Sequence, residues 1–109
     1  EGAQLIVVAC NTATAAAVRA LREEHADVQF VGVEPGIKPA IALSRSGRIG
    51  VMATRGTLAS DKFRRLVSSH AQGAQLHLQA CAGLAHAIEA GDAYSAEVLA
   101  LVDRYTAPL

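Results

Sequence analysis

The chain has 109 residues, of which 51% are hydrophobic and 18% are charged. It is richer in apolar residues than average globular domains are, so part of its apolar surface is expected to face a partner. Ten basic residues balance ten acidic ones, and this balance gives no electrostatic footprint for nucleic acid or anionic lipid. No apolar stretch approaches the roughly 20 residues that span a bilayer. Two cysteines in unrelated local contexts indicate a reducing compartment, and the cytoplasm is therefore predicted.

The first predicted unit is a strand followed by a helix. Residues 5–9 form an apolar run without alternation, which is typical of a parallel strand covered on both faces. The Ala-rich stretch 12–25 predicts the crossover helix. A short second strand is predicted at 30–33, and Glu34-Pro35-Gly36 follows it. This tripeptide is interpreted either as a hinge, because Pro restricts and Gly frees the backbone, or as an ordinary turn.

The rest of the chain continues the same alternation. Further strands are predicted at 49–53 and 75–80, and further helices at 37–44, 58–70, 83–90 and 95–105. In the helix at 58–70, one face carries Ala59, Phe63, Leu66 and Val67, and this stripe should pack against the sheet. The pattern predicts an α/β fold built from parallel-sheet βα units.

The junction between the first strand and its helix is the strongest candidate site. Cys10 follows the apolar run directly, at the carboxyl edge of the sheet, where α/β proteins bind ligands. The positive end of the next helix favours a thiolate and an anionic ligand. The alternative is that Cys10 is a small core residue and that Asn11 or Thr12 only caps the helix. The residues alone leave both interpretations open.

Four segments together resemble the glutamate racemase family, within the cofactor-independent aspartate/glutamate racemase superfamily. They are VACNTATA at 8–15, GVEPGIKPA at 32–40, IGVMATRGT at 49–57, and ACAGL at 80–84 continuing to IEAG at 88–91. Their order and spacing agree with that family over nearly the whole chain. The second segment favours glutamate over aspartate as the substrate.

The resemblance implies a racemase-like α/β fold with parts of two domains. Residues 1–28 would be the end of the first portion of the N-terminal domain, and residues 29–109 would be most of the second domain. The chain would cross between them near 33–38. Family members run to more than twice this length, and their Asp-Ser and Cys-Thr-His motifs have no counterpart here. The chain is therefore interpreted as an internal portion of a longer polypeptide.

The resemblance also implies an activity, the interconversion of L-glutamate and D-glutamate without a cofactor, which supplies D-glutamate for peptidoglycan. Two cysteines would act on opposite faces of the substrate, and Cys10 matches one of them. Cys81 does not match the other, because Ala82 and Gly83 follow it where Thr and His are needed. The 109 residues alone are therefore expected not to racemise glutamate. The resemblance leaves a homodimer open.

Further site residues follow from the matched motifs. Asn11 and Thr12 would bind the carboxylate or ammonium group of the substrate. Thr54 and Thr57 would hold a carboxylate, or else Thr57 caps the helix that follows. Glu89 would orient the missing His, and its alternative is an exposed position on a helix. No metal site is expected, because the four histidines have no second ligand at metal spacing.

Two other functions remain open from the sequence. One is a non-catalytic α/β module that binds a small carboxylate or a partner, and the other is a different racemase of the superfamily. A Cys-Thr-His motif in the sequence beyond Leu109 would decide for a racemase over the non-catalytic module. If the chain stands alone, an exposed apolar patch or self-association is expected where further parts of a racemase would dock.

Overall fold

The structure, a computed structural model, describes residues 2–71 and 73–109. In chain order its elements are β1 (Leu5–Val8), α1 (Asn11–Glu24), β2 (Gln29–Gly32), α2 (Ile37–Leu43), β3 (Arg48–Ala53), α3 (Arg55–Ala59), α4 (Asp61–His70), β4 (Gln75–Ala80), α5 (Leu84–Ala90) and α6 (Ala96–Thr106). β1 pairs with β2 and β3 pairs with β4, and both pairs are parallel. The predicted α/β fold of parallel βα units is therefore confirmed. Within the described ranges, no helix is long and apolar enough to cross a membrane.

The β1–β2 sheet is covered by α1 on one face only. Phe30 of β2 is buried, and Val18 of α1 is 4% exposed. On the other face, Leu5, Val7 and Val31 are 52%, 57% and 46% exposed. The expectation that the first strand is covered on both faces is therefore wrong for this chain. The apolar run correctly predicted a parallel strand, but among the described residues only α1 packs closely against this sheet.

The β3–β4 sheet carries the main hydrophobic core. Ile37 of α2, Val51 of β3, and Phe63 and Leu66 of α4 form one buried cluster. Phe63 and Leu66 lie three positions apart, so they project from the same side of α4. This arrangement confirms the predicted packing of Phe63 and Leu66. Ala59 was predicted to lie on the same face, and this is wrong because Ala59 is exposed.

The single helix predicted at 58–70 is wrong, because the structure contains two helices that meet at Ser60. The Ser60 backbone is extended (φ −73°, ψ 147°), and its side chain accepts a hydrogen bond from the Phe63 N–H. A serine in this role ends one helix and begins another, since its hydroxyl satisfies a backbone donor of the new helix. The new helix start also explains why Ala59 lies off the buried stripe.

The last two helices agree with the prediction to within one residue at each end. Ser95 caps α6 by accepting a hydrogen bond from the Val98 N–H. The Tyr105 hydroxyl donates to the Ala82 carbonyl oxygen at 2.7 Å, which ties the end of α6 to the loop after β4. Val98 and Tyr105 are buried, as their spacing predicted, while Leu99 is 51% exposed.

The predicted domain division falls between residues 28 and 29, in the connection from α1 to β2. β2 is hydrogen-bonded to β1 along its whole length, so one sheet contains residues from both sides of that division. The assignment of the two parts to separate racemase domains stays a prediction. Gly36 is the N-cap of α2 and has φ −71°, so the turn does not use the left-handed backbone that glycine allows.

Candidate functional site

The site lies where two strands end and two helices begin. β1 is followed by α1, and β3 is followed by α3. α1 contacts α3, so the loop after each strand lies beside the other. Two segments that are more than forty residues apart in the sequence are brought together in this way.

Three threonine hydroxyls meet at this junction, and we call Thr12, Thr54 and Thr57 the threonine cluster. The Oγ1 atom of Thr12 lies 2.8 Å from that of Thr54 and 2.9 Å from that of Thr57. The Thr54 hydroxyl donates to the Thr57 hydroxyl at 3.1 Å. Three of the four residues predicted to bind substrate are thus in direct contact with one another, which no local sequence pattern required.

The threonine cluster also settles which residue caps the helix. Thr54 is the N-cap of α3, and its Oγ1 accepts a hydrogen bond from the Thr57 N–H at 3.2 Å. Ser60 caps α4. The alternative in which Thr57 caps the following helix is therefore wrong. Thr57 is 3% exposed, and its hydroxyl is held inside the cluster.

Cys10 occupies the N-cap position of α1, with extended backbone angles and no side-chain capping bond. It is exposed, so the alternative that it is a core residue is wrong. The alternative that Asn11 or Thr12 caps the helix is also wrong, because α1 already begins at Asn11. The thiol therefore lies free at the start of a helix, and Thr12 of the threonine cluster belongs to the first turn of the same helix.

Asn11 has an unsatisfied group. Its Oδ1 atom is buried and has no hydrogen-bond partner among the described residues. A buried acceptor without a partner costs about 1–3 kcal/mol. A donor such as an ammonium group would satisfy this oxygen, and Asn11 is followed in the chain by Thr12 of the threonine cluster.

The other sulfur and the predicted acidic residue lie elsewhere. Cys81 is buried, and burial raises the pKa of its thiol, although a backbone hydrogen bond with Ala53 opposes this. A thiol that resists ionisation is poorly suited to abstract a proton. Glu89 is exposed on α5, the helix that packs on α6. The structure therefore does not bring Glu89 into the threonine cluster.

The part of the chain that the structure describes contains no group of three or more His, Cys, Asp and Glu residues arranged to hold a metal ion. The polar groups of the site are neutral hydroxyls, an amide and a thiol. Such a set suits a small organic ligand with a carboxylate and an ammonium group better than it suits a hard cation, which prefers several carboxylate oxygens.

Comparison with known proteins gives a consistent result along the whole chain. The chain is 50% identical over 109 residues to a glutamate racemase of Pseudomonas aeruginosa strain UCBPP-PA14. The matched region covers 100% of this chain and 41% of that protein. The chain is 54% identical over 109 residues to a glutamate racemase of Herpetosiphon aurantiacus, with 42% of that protein covered. The chain is similar to glutamate racemases over its whole length. No protein-family model matches it.

Solved structures agree with the sequence comparison. A crystal structure of Escherichia coli glutamate racemase with L-glutamate and the activator UDP-MurNAc-ala has a TM-score of 0.76 and 38% identity, over 93% of this chain and 39% of that one. The isoform RacE1 from Bacillus anthracis has a TM-score of 0.74 and 33% identity, over 96% of this chain and 40% of that one. The predicted resemblance to glutamate racemase is therefore confirmed. The chain spans about two fifths of the length of these relatives.

Proposed function

We propose that these residues supply one side of a glutamate racemase active site, with Cys10 as the thiol that acts on one face of the substrate. The observation that carries the proposal is the contact of Thr12 with Thr54 and Thr57, at the start of the helix whose N-cap is the exposed Cys10. The similarity to glutamate racemases supports glutamate as the substrate.

A carboxylate and the ammonium group of the substrate find complementary partners at this site. A carboxylate only accepts hydrogen bonds, and the threonine cluster offers hydroxyl donors. These hydroxyls bond to one another in the structure, so a carboxylate that accepts from two of them replaces bonds within the cluster. The buried Asn11 Oδ1 atom is a suitable acceptor for the substrate ammonium group.

Racemisation then requires a proton to leave one face of the α-carbon and another to arrive on the opposite face. The Cys10 thiolate takes the α-proton to form an S–H bond, and the electron pair of the broken C–H bond stays on the substrate as a carbanion. A second acid on the other face returns a proton, and the roles reverse for the other enantiomer. Buried Cys81 is not suited to this role, so we assign the second cysteine to a part of the protein beyond these 109 residues.

The whole protein is proposed to interconvert L-glutamate and D-glutamate without a cofactor and to supply D-glutamate for peptidoglycan in the cytoplasm. In that protein Glu89 would orient a histidine beside the second cysteine. The same resemblance supports a division into the end of one racemase domain (1–28) and most of another (29–109). We propose that the chain crosses between the two domains at 33–38, after β2. The pairing of β2 with β1 supports this position, because both strands then lie on the same side of the crossing.

A chimaera tests the proposal. The 109 residues replace the matching part of Escherichia coli glutamate racemase, and exchange of the α-hydrogen of glutamate is followed in deuterated water. The chimaera should exchange, and Cys10→Ala should reduce exchange at least about a thousandfold, because a positioned base and its acid partner each contribute about 10²–10⁴-fold. Cys81→Ala is the matched control and should retain activity.

The outcomes separate the candidate functions. A folded chimaera in which Cys10→Ala exchanges normally contradicts the assigned thiol. A folded chimaera that binds glutamate through the threonine cluster but never exchanges the α-hydrogen would favour the non-catalytic carboxylate-binding module. Circular dichroism and a thermal melt establish that each variant is folded.

A further inference from the structure

We propose that Thr14 is a positioning residue for Cys10, and that Gly32 is glycine because Thr14 must pack against it. The proposal rests on the proposed role of Cys10. Thr14 belongs to the same motif as Cys10 but does not contact the threonine cluster through its hydrogen bonds. Its contacts lie instead at the ends of the two strands behind the thiol.

The Thr14 side chain bridges two backbone groups, one at the end of each strand. Its hydroxyl donates to the Val8 carbonyl oxygen at 3.1 Å, at the last residue of β1. The same Oγ1 atom accepts a hydrogen bond from the Val33 N–H at 3.1 Å, just after β2. Thr14 is 4% exposed, so water is largely excluded from these bonds and does not replace them.

The backbone of Thr14 links this side chain to the backbone of Cys10. Its N–H donates to the Cys10 carbonyl oxygen at 2.8 Å, in the first turn of α1. The residue thus holds Cys10, the end of β1 and the start of the segment at 33–36 in one arrangement. Because Cys10 makes no capping bond of its own, the direction of its thiol depends on the backbone that Thr14 holds.

Gly32 supplies an independent observation for this contact. A Cβ atom at Gly32 would lie 2.5 Å from Thr14 Cγ2 and 3.0 Å from its Oγ1. Carbon atoms that are not bonded do not approach this closely, and the close packing of a protein interior leaves a buried side chain little room to move. The backbone of β2 and the Thr14 side chain therefore fit only because residue 32 has no side chain.

Thr14→Val tests the hydroxyl at nearly constant shape. Valine fills the same volume but leaves the Val8 carbonyl and the Val33 N–H unpaired, and such buried groups are costly. Thr14→Ser is the matched control, because it keeps the hydroxyl and removes only the methyl group. A positioning role predicts that serine rescues the behaviour of Cys10 and that valine does not.

The readout is the rate at which iodoacetamide alkylates Cys10 in the 109-residue chain, followed by mass spectrometry of the Cys10 peptide. The Cys81 peptide reports in the same sample whether the fold has opened, since Cys81 is buried. We expect Thr14→Val to change the rate of Cys10 alkylation at least about threefold, because the backbone that carries the exposed thiol is no longer held by the Thr14 hydroxyl. Thr14→Ser should stay within about twofold of the unmodified chain, and Cys81 should remain slow in both variants.

An unchanged rate at Cys10 in folded Thr14→Val overturns the proposal, as does a serine variant that behaves like valine. If Thr14→Val does not fold, amide hydrogen exchange at Val33 decides: slow exchange in the unmodified chain and in Thr14→Ser supports the bridge, and fast exchange in either overturns it. This test needs no racemase activity, so an inactive chimaera would contradict the proposed function without deciding the role of Thr14.

Discussion

The two sheets of this chain differ in how much of each is covered, although each keeps an exposed apolar residue, such as Val7 in β1 and Leu78 in β4. β3 and β4 share a buried cluster with α2 and α4, in which Ile37 is 2% and Phe63 is 3% exposed. In β1, Leu5 and Val7 remain about half exposed. The proposed site lies between them, with its thiol on the less covered unit and its most buried threonine, Thr57, on the other. A unit with a buried core and a weakly covered unit thus meet at the place where chemistry is proposed.

The largest effect should come from the core of the β3–β4 unit. Phe63→Ala removes a buried aromatic side chain and should lower the free energy of unfolding by about 3–5 kcal/mol, measured by urea denaturation. Leu43→Ala is the control, because Leu43 is 82% exposed, and its change should stay within about 0.5 kcal/mol. If Leu5→Ala costs as much as Phe63→Ala, the contrast between the two sheets is wrong.

A smaller effect is expected at the contact between the two units. Thr57→Val leaves the Thr12 and Thr54 hydroxyls without one partner each and should destabilise the chain by about 1–3 kcal/mol. Thr57→Ser keeps the hydroxyl and should lose less. Thermal melts of Thr57→Val, Thr12→Val and the double variant measure the coupling. Strict additivity would show that the threonine cluster does not link the units.

The buried thiol should make stability depend on alkaline pH. Burial raises the pKa of Cys81 above its ordinary value of 9.0, so the folded state holds the thiol proton more tightly than the unfolded state does. This contribution is fully present below the unfolded pKa and is lost as the pH rises through the folded pKa. Urea denaturation between pH 7 and pH 11 should show stability falling above about pH 9, and Cys81→Ala should flatten that fall. An unaltered slope in Cys81→Ala would assign it to another group.

The smallest change in stability, but a clear change in association, is expected on the bare face of the β1–β2 sheet. Val7→Glu places a charge on a surface that is already exposed, so the free energy of unfolding should change by less than about 1 kcal/mol. Light scattering should show less self-association than in the unmodified chain, because exposed apolar faces promote it. Leu43→Glu, outside this face, should leave association unchanged. Equal association in all three chains would show that the β1–β2 face does not drive it.

Local sequence patterns predicted most of the elements but not how each one is covered. The strand at 75–80 agrees at both ends with β4, because its alternating polar and apolar residues and its flanking turns are local signals. The division at Ser60 was missed, since the apolar spacing of a helix continues across it. Ser60 itself was the available signal: a serine followed by an acidic residue and then Phe63 is a common start of a helix.

The sequence by itself determined the alternation of strands and helices and the place of Cys10 at the carboxyl end of a strand. These features depend on residues that are close together in the chain, where apolar periodicity and capping act directly. Only the tertiary structure decided that Thr12 contacts residues 42 and 45 positions away. It also decided that Thr14 packs on Gly32 and that one face of β1 stays bare. Such contacts depend on how whole elements pack, and the spacing of residues within one element does not specify that packing.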